Sequence, residues 1–415
     1  TGAANATGAL AGEAGDDATR RVLGRIAREA LECGSGIDRF DPQELAHLLV
    51  GFAKAGHDSP DLFREAQASL LNRTLTVQSL PPASDSEDEE GGGAKWIALF
   101  PSFVKLNVRR SASLQDFITA VWAALLAGRS DPLLLRRAID SAGPYLDSLP
   151  LPLLVQLGQV VVSTVTLLGW SCTDTQGKSM LERLLAEDAT EFSQAPAVQP
   201  VALTARRPRA KSLAAAKPAK QIPASQAVLA EKGQPLYASR SDSDSIGADF
   251  LRRLVQTLRK RRASVSRSSG SPVLDKEDGL VLSPHVAAAS SRLHECVSGA
   301  LSRLGVAHVN EREVLGGIYV IDIALPSPFQ AGATESRPIA IEVDGPTHFV
   351  RDTLQPTPET LHKRRILKLM GWNVVSVAYF DWENLRTESA RQAHLTNLLS
   401  PEGSAAAFTK NADVA

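Results

Sequence analysis

Three stretches near the C-terminal end decide the fold: I-D-I-A-L-P (Ile321 to Pro326), I-A-I-E-V-D-G-P-T-H-F (Ile339 to Phe349) and H-K-R-R-I-L-K-L-M-G-W-N-V-V-S-V-A-Y (His362 to Tyr379). Short β-branched runs bounded by turn residues predict strands. The charged run ahead of the last strand carries Ile366, Leu367 and Met370 at helical spacing. Asp322, Glu342, Asp344 and His348 therefore fall in or just after two strands, with a basic helix and a third strand following. An ionised carboxylate at a sheet centre costs several kcal/mol unless it is paired, hydrogen-bonded or bound to metal. Both I-D-I and I-E-V set the acid between apolar residues that share the opposite face, so Asp322 and Glu342 are expected on neighbouring strands with their carboxylates on one side.

The same region predicts strands over Val306 to Asn310 and Ile318 to Leu325, a helix over Thr360 to Met370, a strand over Asn373 to Ala378 and a helix over Glu388 to Leu399. That order is α/β with a mixed sheet. Lys363, Arg364 and Arg365 open the basic helix, and three successive positions cannot share one direction. At least one faces the sheet acids or a partner, and the others form either a solvated face or a phosphate contact. Trp372 is expected in the core and Trp382 as a surface anchor, with base stacking open to either. His348 is a candidate metal ligand or phosphate contact, beside the plainer reading of a hydrogen-bonded surface group.

Working outward, His285 to Leu304 reads as an amphipathic helix. Before it, Phe250, Leu251, Leu254, Val255 and Leu258 form an apolar stripe flanked by Arg252, Arg253, Arg259, Lys260, Arg261, Arg262 and Arg267, with no acid in that stretch. This predicts a docked basic helix. The Arg206 to Lys220 run reads equally as a nucleic-acid arm or as solvated linker charge.

The N-terminal part predicts paired helices. In D-P-Q-E-L-A-H-L-L-V-G-F-A-K-A-G, Asp41 is the N-cap, Pro42 the first helical residue and Glu44 the return of a capping box, with Leu45, Leu48, Leu49 and Phe52 on one face. Gly56 ends this helix and Ser59-Pro60 starts one carrying Leu62, Phe63, Ala66 and Leu70. Ala55, Gly56, Pro60, Leu62, Arg64 and Ala66 recur as Ala127, Gly128, Pro132, Leu134, Arg136 and Ala138, 72 residues on. That offset fits two helix-pair repeats of about 36 residues, and a weaker copy runs from Leu149 through Gly169 to Leu185. An irregular bundle with two similar helix junctions is the alternative.

The expected organisation is helical repeats over 1–80, an acidic Gly-rich disordered insertion over 81–94, further repeats over 95–190, a low-complexity linker over 191–247, basic and amphipathic helices over 248–305, the α/β domain over 306–400 and a flexible tail over 401–415.

Composition narrows the function. The 415 residues leave room for two or three domains. With a formal charge of −1, nucleic-acid affinity has to come from local basic patches. Cys33, Cys172 and Cys296 are too scattered for a zinc cluster or a disulfide framework and fit a reduced compartment. The apolar run Leu149 to Trp170 contains Pro150, Pro152, Gln156, Gln159, Ser163 and Thr164, which suits a buried helix better than a membrane span. The chain begins at Thr1, which reads as a processed or trimmed N-terminus with any targeting peptide gone. Neither a Gly-rich phosphate loop nor a Ser-His-Asp arrangement nor a kinase signature is visible.

Three blocks in order, E-V-D-G-P-T-H-F at Glu342 to Phe349, the run from Lys363 to Trp372, and A-Y-F-D-W ending at Trp382, resemble the RAP domain. This module closes organellar RNA-handling proteins that include the FAST-kinase-domain and octotricopeptide-repeat families. The resemblance covers Tyr319 to Leu399, and the repeat-like segment ending at Gly56 looks like the helical repeats that precede RAP domains. The RAP domain is similar in turn to very-short-patch-repair and restriction-endonuclease-like nucleases, in which acids on adjacent strands hold a divalent metal. Asp322 matches the first acid and Glu342 the second, while Asp344 stands where many such nucleases carry Lys; Lys363 or Lys368 could take that lysine's part.

The resemblance implies an α plus α/β protein: an N-terminal α-helical repeat, a short solenoid, followed by a restriction-endonuclease-like α/β RAP domain. It implies an organellar RNA-binding protein of RNA metabolism, processing or translation, mitochondrial with plastid as the alternative, and a component or assembly factor of the mitochondrial ribosome. Its partners would be organellar mRNA or rRNA and ribosomal proteins, with no cofactor. The RNA-contact candidates are Lys363, Arg364, Arg365, His348, Arg259, Lys260, Arg261 and Arg262. One alternative is a metal-dependent RNA endonuclease using Asp322, Glu342 and Asp344 with Mg²⁺. Another is a protein-interaction scaffold whose acid cluster is inert.

Overall fold

The computed structural model describes residues 18–34, 36–76, 111–173, 178–194, 246–268, 284–326, 337–350 and 353–399. The acidic insertion 81–94, the Arg206 to Lys220 run and the tail 401–415 lie outside these residues. Helix α1 (residues 18–32) and a 3-10 turn (Gly36–Arg39) lead into α2 (Pro42–Lys54). Its capping box forms as expected: the Asp41 side chain accepts from the Glu44 N–H at 2.8 Å, and Glu44 accepts from the Asp41 N–H at 2.9 Å. Leu45, Leu49 and Phe52 are buried, each worth about 1.5–3 kcal/mol. Helix α3 (Pro60–Leu71) buries the expected Leu62, Phe63, Ala66 and Leu70.

A short parallel ribbon that no sequence pattern announced joins β1 (Thr74–Thr76) to β2 (Ser111–Ser113). It brings together the two ends of the stretch containing the acidic insertion and feeds α4 (Leu114–Leu126), which Ser113 and Asp116 cap. Helix α5 (Pro132–Ala142) follows, capped by Asp131. Then come a 3-10 turn (Gly143–Tyr145), α6 (Leu151–Leu167), α7 (Met180–Gln194), α8 (Ala248–Ser268) and α9 (Pro284–Arg303). Helix α2 lies against α4, α4 against α6 and α6 against α8, while α3 lies against α5.

The 72-residue echo is a physical joint. Gly56 and Gly128 end α2 and α4 at φ 62° and 66°, the left-handed conformation that glycine adopts without a Cβ penalty. The buried Gln67 of α3 donates to the Arg129 carbonyl and accepts from the Asp131 N–H, both at 2.8 Å, so one amide locks the first joint to the second. Arg129 adds a forked bond to Asp58.

Strands β3 (Val309–Val314), β4 (Tyr319–Leu325), β5 (Ile339–Asp344) and β6 (Asn373–Ala378) form one sheet in that order. The first two pairings are antiparallel and β5–β6 is parallel. Helix α10 (Pro358–Leu369) makes the β5-to-β6 crossover; α11 (Tyr379–Asn384) and α12 (Glu388–Leu399) close the domain. Alternation divides the sheet between two cores. Ile339, Ile341, Val343, Val375 and Val377 pack with Val297, Leu301, Leu395, Leu399 and Trp382. Ala340, Val374, Ile366, Leu367 and Trp372 join the large core that the helices build.

The helical layer and the sheet therefore share a core. Helix α10 rests on α2, α4 and α6. Its His362 bonds Ser163 of α6 at 2.9 Å, and burial lowers the His362 pKa to about 4. A methyl at Gly158 would stand 2.6 Å from the Ile318 side chain, so α6 reaches the β3–β4 hairpin only because position 158 has no side chain. No helix among the described residues is long and apolar enough to cross a membrane.

One expectation changes. Trp382 is no surface anchor: it is 3% exposed in the small core, with the Arg391 guanidinium 5.4 Å from its ring. Helix α11 puts it there, an element whose six residues leave no period to read. Trp372 is in the core as expected, its ring centroid 5.8 Å from that of Phe192.

Candidate nucleic-acid interface

On β5, Glu342 and Asp344 stand two residues apart and point to one face, both almost fully buried. Helix α10 answers each with a cation. The Lys363 Nζ lies 2.5 Å from Glu342 Oε2, and the Arg364 Nη2 lies 2.6 Å from Asp344 Oδ2. Ser376, across the ladder from Glu342 on β6, donates to Asp344 Oδ2 and accepts from Arg364 at 2.7 Å. Arg365, the next position round the helix, is exposed. An ion in this sheet is tolerable only with a partner at hydrogen-bond distance, and Lys363 and Arg364 are those partners, so two cations of the triplet face the sheet acids.

Asp322, on β4 next to β5, is half-buried and accepts the Val343 N–H at 2.7 Å, replacing a ladder bond where the β4–β5 register stops at Ile323. Lys363 feels the Asp322, Glu342 and Asp344 carboxylates together. Burial pushes the Glu342 pKa up to about 7, against the opposing pull of Lys363. Burial works against the Lys363 ammonium, yet the three carboxylates hold its pKa above the ordinary value. Two buried carboxylate oxygens, Glu342 Oε1 and Asp344 Oδ1, have no hydrogen-bond partner among the described residues. The His348 Nδ1 stands 3.4 Å from Asp344 Oδ1, as an ion-pair neighbour.

The donor set does not fit a divalent cation as arranged. Lys363, Arg364 with Ser376, and the Val343 amide take one oxygen from each acid. No group of three His, Cys, Asp or Glu side chains among the described residues is placed to hold a metal.

The α8 cations lie on a different element and are largely engaged within the chain. Arg259 bonds Asp188 at 2.7 Å, Arg262 bonds Glu313 at 2.7 Å and the Gly317 carbonyl, and Arg261 reaches the Asp147 carbonyl. Lys260 is exposed. The missing acids thus come from distant segments. Asp188, buried on α7, also accepts the Leu315 N–H at 2.6 Å and so ties α7, α8 and the β3–β4 hairpin together; nothing in its local sequence marks it. The sequence around Ser376 is equally silent about its bonds to Asp344 and Arg364.

Residues 341–398 match the RAP domain. Over 61 residues the chain is 41% identical to a chloroplastic RAP domain-containing protein of rice, Oryza sativa subsp. japonica, a match covering 15% of this chain. The match spans about a tenth of the relative's length. The chain carries a RAP domain, built here on β5, α10, β6, α11 and α12.

Proposed function

We propose that this is an organellar RNA-binding protein whose RAP domain handles single-stranded RNA. The observation that carries the reading is the RAP domain at residues 341–398, a module associated with RNA handling in organelles. We read the rows of α2, α4, α6 and of α3, α5 as a short helical-pair solenoid. With α10 seated on α2, α4 and α6, that face is covered, so the helices brace the RAP domain and RNA contact falls to the domain's own rim and to exposed cations such as Arg365 and Lys260. A short brace suits a resident or assembly component of an organellar ribosome better than a reader of long sequence. We place the protein in mitochondria; the rice relative's chloroplast label keeps the plastid as the alternative.

The test is binding of a labelled mixed-sequence single-stranded RNA to the full chain across a salt series. The expected result is a linear fall of log affinity with log salt, with a shallow slope because most cations are paired internally. Salt-insensitive or absent binding overturns the reading. Co-sedimentation of the tagged chain with organellar ribosomal subunits tests the ribosomal assignment.

Glu342 and Lys363 beside Asp322 favour a second reading, a metal-dependent endonuclease. It would need the internal bonds of the acids to open before Mg²⁺ entered. We expect no cleavage by the purified protein with Mg²⁺ or Mn²⁺; cleavage that vanishes in Glu342→Gln while RNA binding persists would establish an enzyme.

A further inference from the structure

Strands β5 and β6 run parallel and end side by side at Asp344 and Ala378. In open α/β sheets the space beyond the carboxyl ends of parallel strands is where ligands bind. Here the chain leaves both strand ends with rings. Phe349 follows β5, and Tyr379 and Phe380 follow β6. The Phe349 centroid lies 5.9 Å from that of Tyr379 and 5.0 Å from that of Phe380, while Tyr379 and Phe380 are 5.3 Å apart. Phe349 is buried and supports the other two, which are half-buried.

Beside them His348 is held more firmly than a solvated side chain requires. Its N–H donates to the Gly345 carbonyl at 3.0 Å, and its carbonyl accepts from the Thr357 N–H at 2.9 Å and the Thr360 hydroxyl at 3.3 Å. Its Nδ1 faces Thr360 Oγ1 at 3.3 Å and the buried Asp344 Oδ1 at 3.4 Å. Asp344 Oδ1 has no hydrogen-bond partner among the described residues. A ring whose Nδ1 faces buried groups presents Nε2 on its other side. The loop itself is bonded: Val350 N–H to the Gln355 carbonyl at 2.8 Å, and Phe349 bridged to Pro356.

We infer that this rim is the RNA contact of the RAP domain, with Tyr379 and Phe380 stacking an unpaired base and His348 Nε2 hydrogen-bonding the same nucleotide. The inference rests on the RNA-binding reading above and names its site. Lys363, Arg364, Arg259 and Arg262 are engaged within the chain and make poor phosphate contacts. Ring stacking is a source of affinity that works for any base and needs no free charge. A rim fixed before binding costs little ordering when the nucleotide arrives.

The test uses the full chain and a labelled mixed-sequence single-stranded RNA. The variants are Tyr379→Leu with Phe380→Leu, which keeps apolar bulk while removing flat rings, and His348→Gln. The paired leucine variant should bind roughly tenfold or more weakly with its salt slope unchanged, since no charge is altered. Ultraviolet crosslinks in the wild-type chain should map to His348–Val350 or Tyr379–Phe380. If the leucine variant misfolds by circular dichroism, the crosslink map and His348→Gln decide. Wild-type RNA binding with crosslinks elsewhere and unaltered variant affinities overturns the inference and leaves RNA binding standing. No RNA binding by the wild type overturns both. Variants that keep RNA affinity but lose a ribosomal protein partner assign the rim to protein docking and likewise overturn the inference.

Discussion

Lys363 and Arg364 are neighbours in sequence but serve different carboxylates, because one helical step turns the second cation from Glu342 towards Asp344. The Arg364–Asp344 pair is buried on both sides while Lys363 is half-buried over Glu342, and removing one partner of a buried pair costs about 3–5 kcal/mol. Arg364→Met should lower the unfolding free energy measured in urea by that order, and adding Asp344→Leu should restore much of it; full stability in the single variant would show that Ser376 alone satisfies Asp344. Glu-reversal of Lys363 or Arg364 should appear as lost stability ahead of any change in RNA affinity.

The same residues set a pH window. Glu342 is raised to about 7 from an ordinary 4.5, so its contribution is fully present below 4.5 and is lost as pH rises through 7. His362 is lowered to about 4 from 6.5, so its contribution is present above 6.5 and is lost as pH falls towards 4. The two slopes oppose each other and largely cancel between pH 4.5 and 6.5, so urea midpoints should be level there, with a small fall below 4.5 and another between 6.5 and 7. Glu342→Gln should flatten the alkaline limb and His362→Gln the acid limb; an unchanged alkaline limb in Glu342→Gln would mean that Lys363 keeps Glu342 ionised throughout.

At the scale of elements, the two helix joints allow a comparison. Gly128 has open space around a notional Cβ, whereas at Gly56 that atom would stand 3.3 Å from Pro358 of α10. Gly128→Ala should cost only the left-handed backbone penalty, about 1–2 kcal/mol. Gly56→Ala should cost that and also disturb the seating of α10, which differential urea unfolding of the two variants would measure. Equal losses would mean that Pro358 gives way freely. Helix α10 has one outward cation in its basic triplet, so Arg365→Glu should leave stability unchanged while making the salt slope of RNA binding shallower, by about one if Arg365 neutralises one phosphate.

At the scale of the molecule, the large core runs from α2 through α6 and α8 to Ile321, Ala340 and Val374 of the sheet. Unfolding should therefore be one cooperative transition, coincident by calorimetry and by circular dichroism. A fragment carrying only 306–400 exposes the face of α10 that bonds Ser163 and loses α9 from the small core. It should show no cooperative melt, and a sharp one would make the RAP domain an independent folding unit.

The sequence by itself determined the elements whose cause is local. Asp41, Pro42 and Glu44 start α2 with groups within one turn of each other, and Gly56 and Gly128 end helices through their own backbone freedom. The I-A-I-E-V-D run and N-V-V-S-V-A likewise announced β5 and β6. It also marked the acids as needing compensation, since desolvation of a strand carboxylate follows from the pattern alone. Which cations compensate them was decided only by the tertiary structure. Lys363, Arg364 and Arg365 are equivalent as letters; the seating of α10 across β5 turns two of them inward and leaves the third in water. The acids that engage α8, Asp188 and Glu313, lie 71 and 51 residues from their partners. The ring rim likewise exists only because parallel pairing ends β5 and β6 together, which brings Phe349 to Tyr379 and Phe380. Local periodicity reports which face a residue occupies, and long-range packing alone reports what that face meets.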